Sequence, residues 1–260
     1  MKYACKFYQG CSMLDIADEI IIKYDKKDRE ILKFVQKWKP EQRIILNITE
    51  LEDIEKNLEL FTTTAKLHNI AFLCSKEQDF HLLEEECLSY FFIEKCGTLD
   101  ELIGQIRMKV SDVYITNELG FYLPDISRIC KDKHINVRVI PNVAQSSSDT
   151  ISSDFTKFFI RPDDLYLYED YIDVIEFLTD RLEIQPTLYE IYKDGRWDGD
   201  LCQIIYNFNE DIPNNSIIPI FGEIRLNCKK RCCFNKCDVC KYMESIAREL
   251  NKKDIHFEKE

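Results

Sequence analysis

The sequence has little glycine and little proline, with seven residues of each among 260. Flexible and low-complexity linkers are rich in these residues, so extended linkers are not expected. Neither of the glycine-rich phosphate-binding patterns, G-x-G-x-x-G and G-x-x-x-x-G-K-S/T, occurs after any apolar run. Their absence disfavours the common kinds of nucleotide-binding protein.

Long hydrophobic runs are also lacking. No apolar run approaches the roughly 20 residues that a helix needs to span a bilayer. The N-terminus, MKYACKFYQGCSMLD, lacks the charged start, apolar run and small-residue cleavage site of a signal peptide. We therefore expect a cytoplasmic protein with no membrane insertion. In that compartment twelve cysteines favour buried thiols and a metal site over a disulfide framework.

Positive charge is in deficit, with 35 lysines and arginines against 47 aspartates and glutamates and a formal net charge of −12. Proteins that coat nucleic acid have the opposite balance, so a general nucleic-acid-binding surface is disfavoured. A local basic patch can still bind RNA. The length and the 45% hydrophobic content suit one large domain or two small ones that need no disulfides for stability.

What the chain does contain is an alternation of short apolar runs with longer amphipathic segments. Apolar strands separated by helices are typical of a parallel sheet covered by helices. Eight such units within residues 1–180 predict a compact (β/α)8 TIM-like barrel, with an open doubly wound sheet as the alternative. One helix, TLDELIGQIRMK, begins at a candidate N-cap, Thr98, with Glu101 three residues on. The strand-like runs are 17–24, 43–49, 70–75, 89–96, 111–118, 136–143, 157–162 and 172–178.

The character of the sequence changes after the last apolar run. Residues 181–260 contain a DGRWDG turn, an IPNN loop and scattered aromatic residues. They are predicted to form a tail that wraps the barrel. This tail includes a cysteine-rich segment at 228–240 and ends in a charged amphipathic helix, DVCKYMESIARELNKK.

In a (β/α)8 barrel, reactive groups lie at the carboxyl ends of the strands and on the loops that follow. These positions carry carboxylates, amides and cations here, which permits acid–base chemistry. Every barrel needs polar strand ends for solubility, however, and no two of these residues stand out by their spacing, so the sequence leaves the catalytic residues unassigned. The barrel-mouth candidates are Lys23, Asn47, Glu94, Asn117, Glu118, Asn142, Arg161, Asp164 and Glu176. Further residues at the same strand ends are Asp25, Thr49, Ser75, Lys76, Lys95, Gln145 and Asp163.

The segment CKKRCCFNKCDVC, residues 228–240, packs five cysteines into thirteen positions. Thiolates this close together repel one another unless a metal or a bond neutralises them. Four of them suffice to surround zinc or to hold an iron–sulfur cluster of the [4Fe-4S] type, and the spacing does not choose between the two. The favoured ligands are Cys228, Cys232, Cys237 and Cys240, with Cys233 as the spare and Cys5 or Cys11 as another source of the fourth ligand.

Three stretches carry a resemblance to a known family. They are SDVYITNELGFYLPDISRICKDKHINVRVIPNVAQ, KFFIRPDDLYLYEDYIDVIEFL and ADEIIIKY. The first two resemble the second half of the barrel in the collagenase-like peptidase family (peptidase family U-thirty-two), and the third resembles its first strand. Asn142 matches the Asn-containing turn of that family, and Arg161, Asp164 and Leu165 match its R-E-L strand end.

The resemblance implies a barrel followed by cysteines that bind an iron–sulfur cluster, and several family members act in RNA or quinone hydroxylation. RLNCKKRC is similar to the family's late C-x3-C pair, which implies Cys228 and Cys232 as ligands. The family's His-Gly…Cys…Ser-Gly-x-Cys segment is absent after the last run. The resemblance is therefore that of a diverged member with a locally rebuilt metal site.

Two hypotheses for the function follow. The first is a metal-containing barrel enzyme, or a subunit of one, that modifies RNA or a small metabolite. The second is a non-catalytic barrel whose cysteines hold a structural zinc and whose surface binds a protein partner. The basic stretch 225–241 is the candidate contact for RNA or protein in either case. No nucleophile–base pair in the sequence supports a protease.

Overall fold

The computed structural model describes residues 1–7, 15–24, 41–75, 77–143, 159–208, 213–217 and 221–226. Its centre is an eight-stranded sheet whose paired strands are all parallel. Around the sheet the strands follow the order β5-β4-β3-β2-β1-β8-β7-β6. They are β1 (Lys2–Lys6), β2 (Glu19–Lys23), β3 (Arg43–Asn47), β4 (Ile70–Cys74), β5 (Tyr90–Phe92), β6 (Asp112–Ile115), β7 (Asn136–Val139) and β8 (Val174–Glu176).

Backbone hydrogen bonds also join β5 to β6, the two ends of that order. The N–H of Ser111, directly before β6, donates to the carbonyl of Tyr90 over 2.9 Å. Beyond β5, the N–H of Cys96 donates to the carbonyl of Tyr114 over 2.8 Å. The N–H of Thr116 donates in turn to the carbonyl of Cys96 over 3.1 Å. The sheet therefore closes into a (β/α)8 barrel, as predicted, and the open doubly wound alternative is wrong.

Helices follow most of the strands and cover the outside of the barrel. The predicted start of α3 is confirmed, because Thr98 and Glu101 form a reciprocal capping box. None of the helices in the described ranges has both the length and the apolar character needed to cross a bilayer. The helices are α1 (Leu58–Leu67), α2 (Glu77–Glu85), α3 (Leu99–Arg107), α4 (Leu123–Asp132), α5 (Gln185–Asp194) and α6 (Phe221–Leu226).

The prediction of a strand within 157–162 is wrong. In the described part of this run, residues 159–161, the backbone forms no strand, and Pro162 begins a 3-10 helix that ends at Tyr168. The run is apolar because it is buried by the tail, and the Tyr192 hydroxyl donates to the carbonyl of Ile160 over 2.8 Å. The missing strand is β1, which has only five residues and a lysine at each end and so shows no apolar run.

The described part of the tail packs against the carboxyl ends of β7 and β8. The N–H of Tyr206 donates to the carbonyl of Asn142 over 2.7 Å. Arg161, in the long connection between β7 and β8, donates from Nη1 to Asn214 Oδ1 over 3.3 Å. The cysteine-rich segment 228–240 and the predicted terminal helix lie outside the described residues.

Candidate active site

Four charged side chains meet inside the barrel near the amino ends of its strands. Arg43 donates to both carboxylate oxygens of Asp112, over 2.8 and 2.6 Å. Arg138 donates to Glu19 over 2.6 Å and to Asp112 over 3.1 Å. All four residues are buried, and their charges cancel. We call this set the floor network.

The floor network keeps Asp112 ionised inside the barrel. Burial opposes the charged form, but the positive charges of Arg43 and Arg138 outweigh it and lower the pKa of Asp112 to about 2. Ser111 and Asn136 add side-chain hydrogen bonds to its carboxylate over 2.6 and 3.2 Å. Polar residues at the amino ends of barrel strands ordinarily serve stability. We therefore interpret the floor network as a structural element.

Arg138 links the floor to the opposite end of the barrel. It pairs in register with Tyr114 of β6. The central carbon of its guanidinium lies 5.0 Å from the ring centroid of Phe91 and 5.4 Å from that of Tyr114. Contact of a cation with aromatic faces at this range is favourable. Arg138 thereby contacts the ring of Tyr114, whose hydroxyl donates to Glu176.

A second polar cluster lies at the carboxyl ends of the strands, where barrel enzymes carry their active sites. Glu176, the last residue of β8, accepts a hydrogen bond from the Tyr114 hydroxyl over 2.5 Å and pairs with Lys6 Nζ over 3.1 Å. The side chain of Glu176 is 4% exposed, and that of Lys6 is 36% exposed. Burial and the charge of Glu176 raise the pKa of Tyr114 well above its ordinary value. Its hydroxyl therefore stays protonated and acts as a donor.

Lys95, in the loop after β5, is half-buried and lies within range of the charges of this pair. Burial lowers the pKa of its amine, the charge of Glu176 opposes that shift, and the charge of Lys6 adds to it. A lysine with a lowered pKa supplies more of the neutral amine, which is its nucleophilic form. The mouth cluster, defined as Lys6, Lys95, Tyr114 and Glu176, therefore combines a nucleophile, a carboxylate base and a phenolic donor.

A cleft opens at the same end of the barrel, between the loops after β7 and β8 and the tail. It has a volume of about 480 Å³ including its open side, and its walls combine aliphatic side chains with polar ones such as Asn142, Asp180 and Arg181. Leu178, two residues beyond Glu176, lines it, and so does Ile184, directly before α5. A mostly apolar cleft next to a few convergent polar groups is the usual form of a small-molecule site.

The barrel brings two of the predicted mouth residues, Glu176 and Lys95, into one cluster. Asn117 and Glu118 instead begin a 3-10 helix that follows β6 and ends at Tyr122. The remaining candidates on the rim serve local structure or face solvent.

Three of these rim candidates follow β2, β3 and β5. Lys23 is exposed and pairs with Glu50 over 2.7 Å. Asn47 closes a turn, because its side-chain oxygen accepts the N–H of Thr49 over 3.1 Å and the Thr49 hydroxyl over 2.7 Å. Glu94 is exposed. None of these arrangements points to catalysis.

The other three candidates hold the barrel to its tail. Asn142 exchanges two hydrogen bonds with the backbone of Leu178, over 2.7 and 3.0 Å. Arg161 forms a buried bidentate pair with Asp164 over 2.6 and 2.8 Å. The prediction that Arg161 and Asp164 lie at the end of a strand is wrong. Arg161 directly precedes the 3-10 helix that begins at Pro162, and Asp164 lies within that helix.

The sequence-based prediction missed Lys6 and Tyr114. Lys6 was overlooked together with β1. Tyr114 stands two positions after Asp112 in a correctly predicted strand, and the two-residue period of a strand puts both on one face. Charged residues within otherwise apolar runs were the available signal for a polar barrel interior; they are Glu19, Arg43, Asp112, Arg138 and Glu176.

The described cysteines are mostly buried thiols, as expected. Burial raises the pKa of Cys74, Cys96 and Cys130 to about 12 in each case, which keeps the thiols protonated. Cys5 is buried as well. Cys87 is exposed and Cys202 is half-buried, although both were expected to be buried. Within the described ranges no group of three or more His, Cys, Asp or Glu side chains is arranged to hold a metal ion.

The predicted metal ligands themselves lie outside the ranges that the structure describes. They are Cys228, Cys232, Cys233, Cys237 and Cys240, together with Cys11. The assignment of zinc or an iron–sulfur cluster to them therefore stays a prediction.

No family model and no curated protein matches the chain. A solved structure that it resembles is that of the 4-hydroxy-2-oxoglutarate aldolase/2-deydro-3-deoxyphosphogluconate aldolase from TTHB1. The two share 13% sequence identity at a TM-score of 0.41, over 74% of this chain and 93% of that chain. A likeness of this size carries no argument about function. Membership of the collagenase-like peptidase family stays a prediction.

Proposed function

We propose that this chain is a barrel enzyme that acts on a small carbonyl compound through an imine on Lys95. The observation that carries the proposal is the mouth cluster, in which the buried Glu176 pairs with Lys6 and accepts the Tyr114 hydroxyl, at the end of the barrel where the half-buried Lys95 follows β5. Lysines used in this way are desolvated or lie next to another cation, and burial lowers the pKa of Lys95.

The mouth cluster supplies each group that the reaction needs. The neutral amine of Lys95 attacks the carbonyl carbon to give a carbinolamine. The carbinolamine takes up a proton from solvent on its hydroxyl and loses water, which leaves an iminium ion. The iminium withdraws electrons from the neighbouring C–H bond, so the Glu176 carboxylate accepts that proton and leaves an enamine. Tyr114 holds this carboxylate by its hydrogen bond, and Lys6 holds it by an ion pair.

Reductive trapping tests the imine. Wild-type protein treated with pyruvate or acetaldehyde and sodium cyanoborohydride is expected to gain one reduced adduct, which peptide mass mapping places on Lys95. Lys95→Met is expected to lose the adduct. Lys23→Met, which removes an exposed lysine at the end of β2, is the matched control and is expected to keep it. An adduct undiminished in Lys95→Met, or none with either probe, would contradict the proposal.

The cysteine-rich segment favours a second activity, metal binding. We propose that Cys228, Cys232, Cys237 and Cys240 hold zinc or a [4Fe-4S] cluster, which would make the chain a metal-containing barrel protein. The argument is chemical, since five neighbouring thiols with flanking lysines suit a thiolate site of net negative charge.

Metal analysis tests this second proposal. Protein purified without oxygen is expected to contain a stoichiometric metal, and Cys→Ala changes at 228, 232, 237 and 240 are each expected to remove most of it. Cys202→Ala, which alters a half-buried thiol outside the segment, is expected to change nothing. A colourless protein with one zinc overturns the iron–sulfur form, and unaltered metal content in the four variants overturns the ligand assignment.

The basic stretch 225–241 supports a contact with RNA or a protein partner, as the sequence suggested. A non-catalytic barrel with a structural zinc remains the alternative to an enzyme. A metal-replete protein that forms no adduct on Lys95 would favour that alternative.

A further inference from the structure

Gln185, the first residue of α5, is buried at the mouth of the barrel, with 1% of its surface exposed. Its side-chain oxygen accepts the backbone N–H of Lys6 over 3.0 Å, which places the amide against the carboxyl end of β1. The nitrogen of the same amide, Nε2, is buried and has no hydrogen-bond partner. Burying a donor without a partner is unfavourable, so buried donors usually have a hydrogen-bond partner.

Thr116, directly after β6, carries a second unpaired group. Its backbone is extended, and it follows Tyr114 by two positions, so the period of the strand turns both side chains toward the barrel interior. Its backbone N–H donates to the carbonyl of Cys96, the residue after Lys95. The Thr116 side-chain hydroxyl is buried and has no hydrogen-bond partner.

These two groups come from different parts of the barrel mouth, the start of α5 and the end of β6. Gln185 is bonded to the residue that pairs with Glu176, and Thr116 lies next to the loop that carries Lys95. We propose that Gln185 Nε2, the Thr116 hydroxyl and the Lys6 ammonium bind a carboxylate group of the substrate. The inference rests on the proposed function and narrows its substrate class to small carbonyl acids.

Charge favours a carboxylate over a neutral group at this subsite. An iminium on Lys95 and the ammonium of Lys6 together carry two positive charges, against the one negative charge of Glu176. The negative charge of a substrate carboxylate would make the net charge of these groups zero. All three proposed contacts are also able to donate: an amide N–H, a hydroxyl and an ammonium that has hydrogens left after pairing with Glu176.

Acetate is the probe for this subsite, because it carries the carboxylate and cannot form an imine. Calorimetric titration with sodium acetate, against sodium chloride at equal ionic strength, is expected to show binding to the wild-type protein. Gln185→Glu keeps an oxygen for the Lys6 N–H but replaces the donor with a negative oxygen, so acetate affinity is expected to fall about 10-fold to 100-fold. Asn69→Asp makes the same amide-to-carboxylate change at an exposed position directly before β4 and is expected to keep wild-type affinity.

Thr116→Val provides a second, nearly isosteric test that does not depend on the folding of the Gln185 variant. Its acetate affinity is expected to fall about 5-fold or more. Absence of acetate binding in the wild type, or equal affinity in the variants and wild type, overturns the subsite.

The trapping experiment separates the two proposals. If acetate binding depends on Gln185 while no carbonyl probe forms an adduct, the imine chemistry fails and the subsite stands. If acetaldehyde and pyruvate form equal adducts in wild type and Gln185→Glu, the imine chemistry stands and the subsite fails. The result expected from both together is that Gln185→Glu lowers trapping of pyruvate and leaves that of acetaldehyde unchanged.

Discussion

Replacing Arg138 with methionine is expected to lower the free energy of unfolding by about 3–5 kcal/mol. Arg138 is fully buried and donates to Glu19 and Asp112, so its loss leaves two buried carboxylates with the single charge of Arg43 to balance them. Methionine preserves much of the side-chain volume and isolates the effect of the charge. Urea denaturation followed by circular dichroism measures the change.

Arg128→Met is the control for this variant. Arg128 is exposed on α4 and pairs with Asp125 over 3.4 Å, and an exposed pair of this kind contributes about 0–1 kcal/mol. The double variant Glu19→Gln with Arg138→Met removes one charge of each sign, so it is expected to lose less than the sum of the two single variants. A loss below about 1 kcal/mol for Arg138→Met would show that the floor network contributes little to stability.

Replacing Glu176 with glutamine is expected to slow proton removal from the bound substrate by about 100-fold to 10,000-fold. Glutamine retains an oxygen that can accept the Tyr114 hydroxyl but cannot serve as the base. The measurement is the loss of the pyruvate methyl signal in deuterium oxide, followed by proton NMR in the presence of the enzyme. Reductive trapping on Lys95 is expected to persist, because attack of the amine precedes the step that needs Glu176.

Glu94→Gln is the matched control, since Glu94 is an exposed carboxylate one residue before Lys95. Its exchange rate is expected to stay within about twofold of the wild type, as for surface changes in general. Equal rates in Glu176→Gln and wild-type protein would remove Glu176 from the role of base while leaving the imine untouched.

The two polar clusters of the barrel interior differ in position and in proposed role. The floor network contains two positive and two negative charges, is buried, and lies near the amino ends of the strands. The mouth cluster lies at the carboxyl ends beside a cleft, and two of its members, Lys6 and Lys95, are partly accessible. Arg138 connects the two through the ring of Tyr114. A change at Arg138 is therefore expected to affect stability first and the position of the Tyr114 hydroxyl second.

The sequence by itself determined the architecture. Repeated apolar runs separated by amphipathic segments reflect strands buried on both faces, and that burial is imposed locally on each run. The start of α3 at Thr98 was predictable for a similar reason, because a capping box involves only four consecutive residues. The prediction of a strand at 157–162 is wrong because an apolar run indicates burial and does not indicate strand hydrogen bonding. The prediction missed β1 because a strand of five residues is too short to show a clear pattern.

Only the tertiary structure decided which polar residues act together. Arg138 meets Glu19 across 119 positions of sequence, Tyr114 meets Glu176 across 62, and Lys6 meets Gln185 across 179. These separations follow no motif, because closing the barrel makes neighbours of strands that are far apart in the chain. The sequence did not distinguish Glu176 and Lys95 from the other polar strand ends. Closure of the barrel places them at the same end as Lys6 and Tyr114, where burial and charge alter their chemistry.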